Sequence, residues 1–205
     1  KSVFSDDMYG PLLKDWLTQV KIRLDPETGL IPHAVDNISG RSVEGARGSS
    51  QSLMLIFLHE IDKDFAYKQF QIYRSQFLSS RFWLPAIREY PKKMNGEEDY
   101  DSGPVIWGIG GAASIVGQRT MAVFDQWNEY QALRNCIQGF GIGLKTKTGK
   151  KYLFGKIPIA DAFIAWSNSI ESNKITVANH YSYKLKFLIL SIAICSFLFV
   201  LLKKL

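Results

Sequence analysis

Acidic, basic and aromatic residues are concentrated in one short stretch, residues 88–104, with the sequence REYPKKMNGEEDYDSGP. Two carboxylates in different environments can divide acid–base work at a glycosidic bond, one protonated and the other ionised. Asp101 is therefore the favoured acid or base, and Asp99 or Glu89 is its predicted catalytic partner. In the alternative interpretation Asp101 only complements a helix dipole, while the residues after it cap the helix.

Other side chains before, within and just after this stretch have the chemistry to position a substrate. Arginine can clamp a carboxylate or phosphate, and aromatic rings can form a face on which a sugar stacks. The predicted substrate-binding residues are Arg88, Tyr90, Trp107, Arg47, Asp25 and His33. Structural alternatives remain for two of them. Asp25 begins the turn-forming segment DPETGL, and Arg47 has Glu44 or an aspartate as a candidate ion-pair partner.

The sequence does not indicate metal or cofactor chemistry. Its two cysteines, Cys136 and Cys195, fall on an amphipathic helix and in an apolar segment, so neither a disulfide framework nor a cysteine-based metal site is supported. We therefore expect no metal and no cofactor.

Helical periodicity accounts for the elements that must position these residues. Apolar residues three or four apart predict amphipathic helices over residues 11–23, 62–79 and 125–140. Inner helices are predicted over residues 46–60, 104–123 and 158–171. Their starts are separated by 58 and 54 residues, which indicates a helical-hairpin repeat. Because the links within hairpins are short and those between hairpins are long, the long loops are predicted to lie on one face.

This alternation, with DPETGL, ARGSS, REYP and DYDSGP on one rim, resembles an (α/α) toroid. The architecture is shared by six-hairpin glycosidases and by proteins of the linalool dehydratase/isomerase type. The resemblance covers roughly residues 11–172 and implies an all-α fold, with residues 1–175 as a toroid portion. Six hairpins of this size need about 330 residues. The chain therefore resembles the C-terminal half of a toroid whose upstream half would be a partner; an open hairpin array is the alternative.

Three functions are compatible with this resemblance. The leading one is acid–base catalysis on a carbohydrate or glycan, as in a glycoside hydrolase or lyase. The second is a dehydratase or isomerase acting on a hydrophobic alcohol. Cysteines are associated with catalysis in that family, and neither Cys136 nor Cys195 is on the predicted rim. The third is a non-catalytic, membrane-tethered binding scaffold.

The net charge of +6 comes from the last third of the chain. Residues 1–140 hold 15 Lys or Arg against 17 Asp or Glu, whereas residues 141–205 hold 10 against 2. Because most of the chain is net acidic, no nucleic-acid partner is expected. The lysine-rich residues 145–156 favour an anionic membrane surface instead.

An apolar run begins at Phe187 and ends at Leu202, with two lysines on each side. Snorkelling lysines can extend a short apolar stretch, so the run predicts a single-pass transmembrane helix in the lipid bilayer. Residues 176–205 are accordingly expected to form a linker and anchor, and the predicted localisation is the membrane.

Overall fold

The computed structural model describes residues 9–81, 83–97, 102–141, 143–147, 149–170 and 180–203. Within these ranges the chain forms seven α-helices, one short 3₁₀ helix at Leu153–Gly155 and four two-stranded antiparallel sheets. The helices are α1 Gly10–Ile22, α2 Gly48–Ile61, α3 Lys63–Phe77, α4 Gly111–Val123, α5 Trp127–Phe140, α6 Pro158–Asn168 and α7 His180–Leu202. The strands are β1 Ala34–Val35, β2 Ser42–Glu44, β3 Leu78–Arg81, β4 Leu84–Ile87, β5 Val105–Ile106, β6 Ile109–Gly110, β7 Leu144–Thr146 and β8 Gly149–Lys151.

These strands contradict the predicted all-α fold class: the chain is about 58% helical and also contains small sheets. The hairpin β5–β6 shows the physical reason. Trp107 and Gly108 have φ of 52° and 77°, so the chain reverses in a two-residue turn where a helix had been predicted. As a result α4 begins at Gly111, and the predicted inner helices begin at residues 48, 111 and 158 without a constant period. The toroid resemblance stays a prediction.

The chain divides into two compact units. Unit 1 takes the described residues of Lys1–Leu78 and Ile87–Ala113, and unit 2 takes those of Ser79–Ala86 and Ser114–Leu205.

Unit 1 is built on the hairpin of α2 and α3, which only Asp62 separates. The Asp62 carboxylate caps α3 by accepting a hydrogen bond of 2.9 Å from the backbone N–H of Phe65. The predicted apolar stripe of α3 is confirmed, since Phe65, Phe70, Tyr73 and Phe77 are all buried. The Ser52 and Tyr73 hydroxyls, 2.6 Å apart, join the two helices inside this core.

Buried glutamines attach the loop after α1 to this hairpin. Gln51 of α2 donates to the carbonyl of Ile31 at 2.5 Å, and Gln69 of α3 accepts from the N–H of the same residue at 3.1 Å. Gln69 also donates to the carbonyl of Gly29 at 2.9 Å. Since buried backbone groups need partners, these bonds fix the path of the loop toward the start of α2.

Unit 2 contains α5, α6 and most of α4. Its buried side chains include Met121, Tyr130, Leu133 and Ile164, in agreement with the predicted amphipathic helix over residues 125–140. Gln118 of α4 donates to the Asn168 side chain at 3.0 Å, which ties α4 to the end of α6.

No helix in the described part of the chain combines the length and the apolarity that a membrane crossing requires. This contradicts the predicted transmembrane anchor from Phe187 to Leu202 and the membrane localisation that rested on it. The apolar run has 16 residues. At 1.5 Å per residue it covers about 24 Å of helix, less than the roughly 30 Å of a hydrocarbon core.

Candidate functional site

A polar cluster surrounds the first turn of α2 in unit 1, and Arg47 is at its centre. This residue has an extended backbone at the helix N-cap position, and its side chain is only 3% exposed. Its Nε donates to Glu89 Oε1 at 3.1 Å, and its Nη1 donates to Glu44 Oε1 at 3.2 Å. The Glu89 side chain has 0% exposure, whereas that of Glu44 has 43%. One guanidinium therefore bridges two carboxyl groups in different environments.

The Glu89 carboxyl group lies against the start of α2. Its Oε1 also accepts from the Ser49 hydroxyl at 2.7 Å. Burial raises the pKa of Glu89 above its ordinary value, although Ser49 and Arg47 act in the opposite direction. Its Oε2 is buried and has no hydrogen-bond partner within the described residues. The site thus holds a carboxyl group whose environment favours the protonated form more than water does.

Glycines allow the two long loops of unit 1 to meet here. The Gly48 N–H donates to the carbonyl of Glu89 at 2.8 Å, and a Cβ on Gly48 would lie 1.8 Å from the carbonyl oxygen of Arg88. A Cβ on Gly110 would lie 2.6 Å from Glu89 Oε2. Any side chain at these two positions would push the loops apart.

Arg88 and Tyr90 hold the loop that follows Glu89. Arg88 donates from Nε to the carbonyl of Tyr90 at 3.0 Å and from Nη2 to that of Met94 at 3.2 Å. The Tyr90 ring lies 5.2 Å from the Arg47 guanidinium carbon, and its hydroxyl donates to the carbonyl of Glu97 at 2.6 Å. Arg88 and Tyr90 were both predicted to bind substrate, and these three hydrogen bonds all go to backbone carbonyls.

His33 lies on the more accessible side of the cluster, with 25% of its side chain exposed. Its Nδ1 is 3.0 Å from Ser50 Oγ, and its Nε2 is 3.9 Å from Glu44 Oε2. The His33 backbone N–H donates to the carbonyl of Glu44 at 3.0 Å, next to the β1–β2 hairpin. His33 therefore lies in the same cluster as Arg47, through its contacts with Ser50 and Glu44, and its substrate-binding role stays a prediction.

The remaining predicted site residues fall elsewhere. Asp25 is buried, and its carboxylate accepts from the Thr28 hydroxyl within the turn, which favours the structural alternative. Trp107 is 68% exposed at the tip of the β5–β6 hairpin. Asp99 and Asp101 lie outside the described residues.

Sequence reasoning missed the contributions of Ser49 and Ser50 and considered Glu44 only as an ion-pair partner. Serines in the first turn of a helix usually satisfy backbone groups, so their types alone carried no catalytic signal. Across the described ranges, no group of three or more His, Cys, Asp or Glu side chains is arranged to hold a metal ion.

No family model matches the sequence, and comparisons with curated proteins and with solved structures return no similar protein.

Proposed function

We propose that unit 1 carries the acid–base centre of an enzyme that acts on a carbohydrate or glycan, as a glycoside hydrolase or lyase does. The observation that carries this proposal is the contact by which Arg47, held in place by buried Glu89, positions the partly exposed carboxylate of Glu44. Glycosidic cleavage needs two carboxyl groups with different proton affinities on the two sides of one bond.

The exposure of the Glu44 and Glu89 side chains indicates their different roles. Glu44 has accessible surface and is the carboxylate that takes a proton from the attacking water. Asp101 is the acid that gives its proton to the leaving oxygen, with Asp99 as the alternative. Glu89 has no exposed surface, so it acts by fixing the guanidinium that holds Glu44. His33 borders the same accessible side and would contact the substrate.

The attachment of the loop supports a role for Asp99 and Asp101. On one side, Tyr90 packs on Arg47 and binds the carbonyl of Glu97. On the other side, Val105 pairs with Gly110, which lies against Glu89. Both flanks of residues 98–101 are thus tied to the Arg47 cluster.

The test is release of reducing sugar from a panel of glycans by wild type, Glu44→Gln and Glu27→Gln. Glu44→Gln keeps a hydrogen-bond acceptor for Arg47 but cannot act as a base, so we expect kcat to fall by about a hundredfold or more. Glu27 is an exposed glutamate of the same unit, and its variant should keep full activity. A folded Glu44→Gln protein with wild-type kcat would contradict the proposal.

The other two predicted functions correspond to separate outcomes of this experiment. Dehydration of a hydrophobic alcohol by the wild type, with no turnover of any glycan, would favour the dehydratase or isomerase. Glycan binding without turnover of either substrate class would favour a binding scaffold. Either result would overturn the glycosidase proposal.

A second candidate function rests on the 3.0 Å separation of His33 Nδ1 and Ser50 Oγ. The Ser50 hydroxyl also donates to the carbonyl of Arg47 at 3.1 Å, so it must turn from that carbonyl to donate to His33. In a serine hydrolase, Oγ attacks the acyl carbon as its proton passes to the imidazole, which then protonates the leaving group. Glu44 Oε2, 3.9 Å from Nε2, would stabilise the imidazolium. A fluorophosphonate probe should then label the wild type and Ser42→Ala but not Ser50→Ala. Unlabelled wild type would exclude this candidate.

A further inference from the structure

Unit 2 contains a cavity of about 590 Å³ between α5, α6 and the segment that includes β8 and Tyr152. Four positions of α5 line it, namely Gln131, Arg134, Asn135 and Gln138. Their spacing of three and four residues places them on one stripe of the helix. Asp161, Ile164, Ala165 and Asn168 form the corresponding stripe of α6.

The polarity of these two stripes is unusual for helices that face each other. Facing helices normally bury apolar side chains, which close the space between them. Here the lining is mostly amide and charged, with Ile164 and Ala165 as the apolar exceptions from α6. A cavity of this size has room for a small molecule, and its converging polar groups can fix the orientation of one.

Hydrogen bonds hold several of the lining groups in place. Gln131 donates to the Asn135 side chain at 2.9 Å, and Gln138 donates to the Tyr152 hydroxyl at 2.5 Å. Lys150 bonds the Gln138 amide oxygen and lies over the Tyr152 ring. The Asp161 carboxylate accepts from the backbone N–H of Tyr152 at 2.7 Å. The walls are therefore ordered without a ligand, which lowers the entropic cost of binding.

Arg134 differs from these groups. It is half-buried on the cavity wall, and its guanidinium forms no hydrogen bond or ion pair with the described part of the chain. With Lys150 it makes two cations against the single carboxylate of Asp161. A half-buried guanidinium that faces a cavity presents a planar set of donors, suited to two oxygens of one anion.

We infer that this cavity binds a small anion that carries a carboxylate or a phosphate together with hydroxyl groups. Arg134 contacts the anionic group in a bidentate manner, and Lys150 adds a second positive charge. The carboxamides of Gln131, Asn135 and Asn168 can donate to and accept from hydroxyl groups. This site is in unit 2 and does not depend on the function proposed for unit 1.

Calorimetric titration at constant ionic strength tests the inference, with inorganic phosphate, gluconate and glucose as separate probes. We expect saturable binding of phosphate or of gluconate, which distinguishes the two anionic groups, and weaker or no binding of neutral glucose. Arg134→Gln should lower the affinity for the anion that binds by about tenfold or more, whereas Arg134→Lys should keep part of that affinity.

Lys150→Gln and Lys151→Gln form the matched pair of variants. They are neighbours in β8, and only Lys150 lines the cavity, so only its removal should weaken binding. The inference is overturned if neither anion binds at about 10 mM. It is also overturned if glucose binds as tightly as the anions, or if folded Arg134→Gln retains wild-type affinity.

Discussion

At the scale of single residues, the candidate site depends most on the ion pair of Arg47 and Glu89. Both side chains are buried, with 3% and 0% exposure. Removing one partner of a buried pair leaves the other charge without compensation, which costs more than the pair itself contributes. Glu44 offers the guanidinium a second carboxylate, but one whose side chain is 43% exposed.

Glu89→Ala should therefore lower the free energy of unfolding by about 3–5 kcal/mol at neutral pH, measured by urea denaturation. Glu97→Ala removes an exposed glutamate of the same loop and should change it by less than about 0.5 kcal/mol. Equal stabilities for the two variants would show that Arg47 does not need its buried partner.

The raised pKa of Glu89 predicts a pH dependence of stability. The folded state holds the Glu89 proton at pH values where the unfolded chain has lost it, so the folded state binds more protons. The stabilisation is complete below the ordinary glutamate value of about 4.3 and is lost as the pH rises through the folded pKa. Glu89→Gln cannot titrate. The stability of the wild type relative to Glu89→Gln should thus fall with rising pH, and a constant difference would contradict the assignment.

Sequence types identified part of this site. Arg47 and Glu89 were chosen as candidate site residues because arginine can bind an anion and a carboxyl group can transfer a proton. The contact between residues 42 positions apart was not visible, since no local pattern encodes it. Asp25 shows the opposite case, because the turn chemistry of DPETGL accounts for the carboxylate without a catalytic role.

Helices were predicted more accurately than the connections between them. The period of 3.6 residues marked α3 and α5 because their apolar stripes pack on a core, and it marked α1 although none of its residues is buried. The segment before α4 was misread because Val105 and Ile106 are apolar in both a helix and a strand. Only the positive φ of Trp107 and Gly108 distinguishes the hairpin.

Because the start of α2 lies against the Arg88–Glu89 backbone, we expect that adding one methyl group at Gly48 lowers stability strongly. A Cβ on Gly48 would lie 1.8 Å from the Arg88 carbonyl oxygen, whereas one on Gly10 has nothing within 4 Å. Both glycines are the first residue of a helix. Gly48→Ala should therefore lower the melting temperature strongly, and Gly10→Ala should leave it equal or slightly higher. Equal melting temperatures would mean that the loop does not lie on α2.

At the scale of the whole molecule, the two cysteines should differ in their reactivity in the folded protein. Cys136 is buried in α5, and burial raises the pKa of its thiol to about 12, whereas Cys195 is exposed on α7. Because the thiolate is the reactive form, a disulfide reagent at pH 8 should modify one thiol of the native protein rapidly. The second thiol should react only after denaturation. Rapid reaction of two thiols without denaturant would contradict the burial of Cys136.

The charges of the chain are distributed unevenly along the sequence, which the net charge alone does not show. Its mildly acidic first 140 residues contain the proposed acid–base site, whereas the cavity of unit 2 is lined from both regions, with Arg134 in the first and Lys150 in the second. The prediction that flanking lysines extend the apolar run from Phe187 to Leu202 into a membrane span was wrong, since no helix in the described ranges has the necessary length and apolarity.

Turnover of glycans by Asp101→Asn tests the proposed acid–base site most directly. With the wild type and Asp15→Asn as controls, we expect Asp101→Asn to lower kcat by about a hundredfold or more. Its melting temperature should match that of the wild type, because the substitution removes a proton donor and keeps the side-chain size. A folded Asp101→Asn protein with full activity, or a wild type that turns over no glycan, would contradict the account.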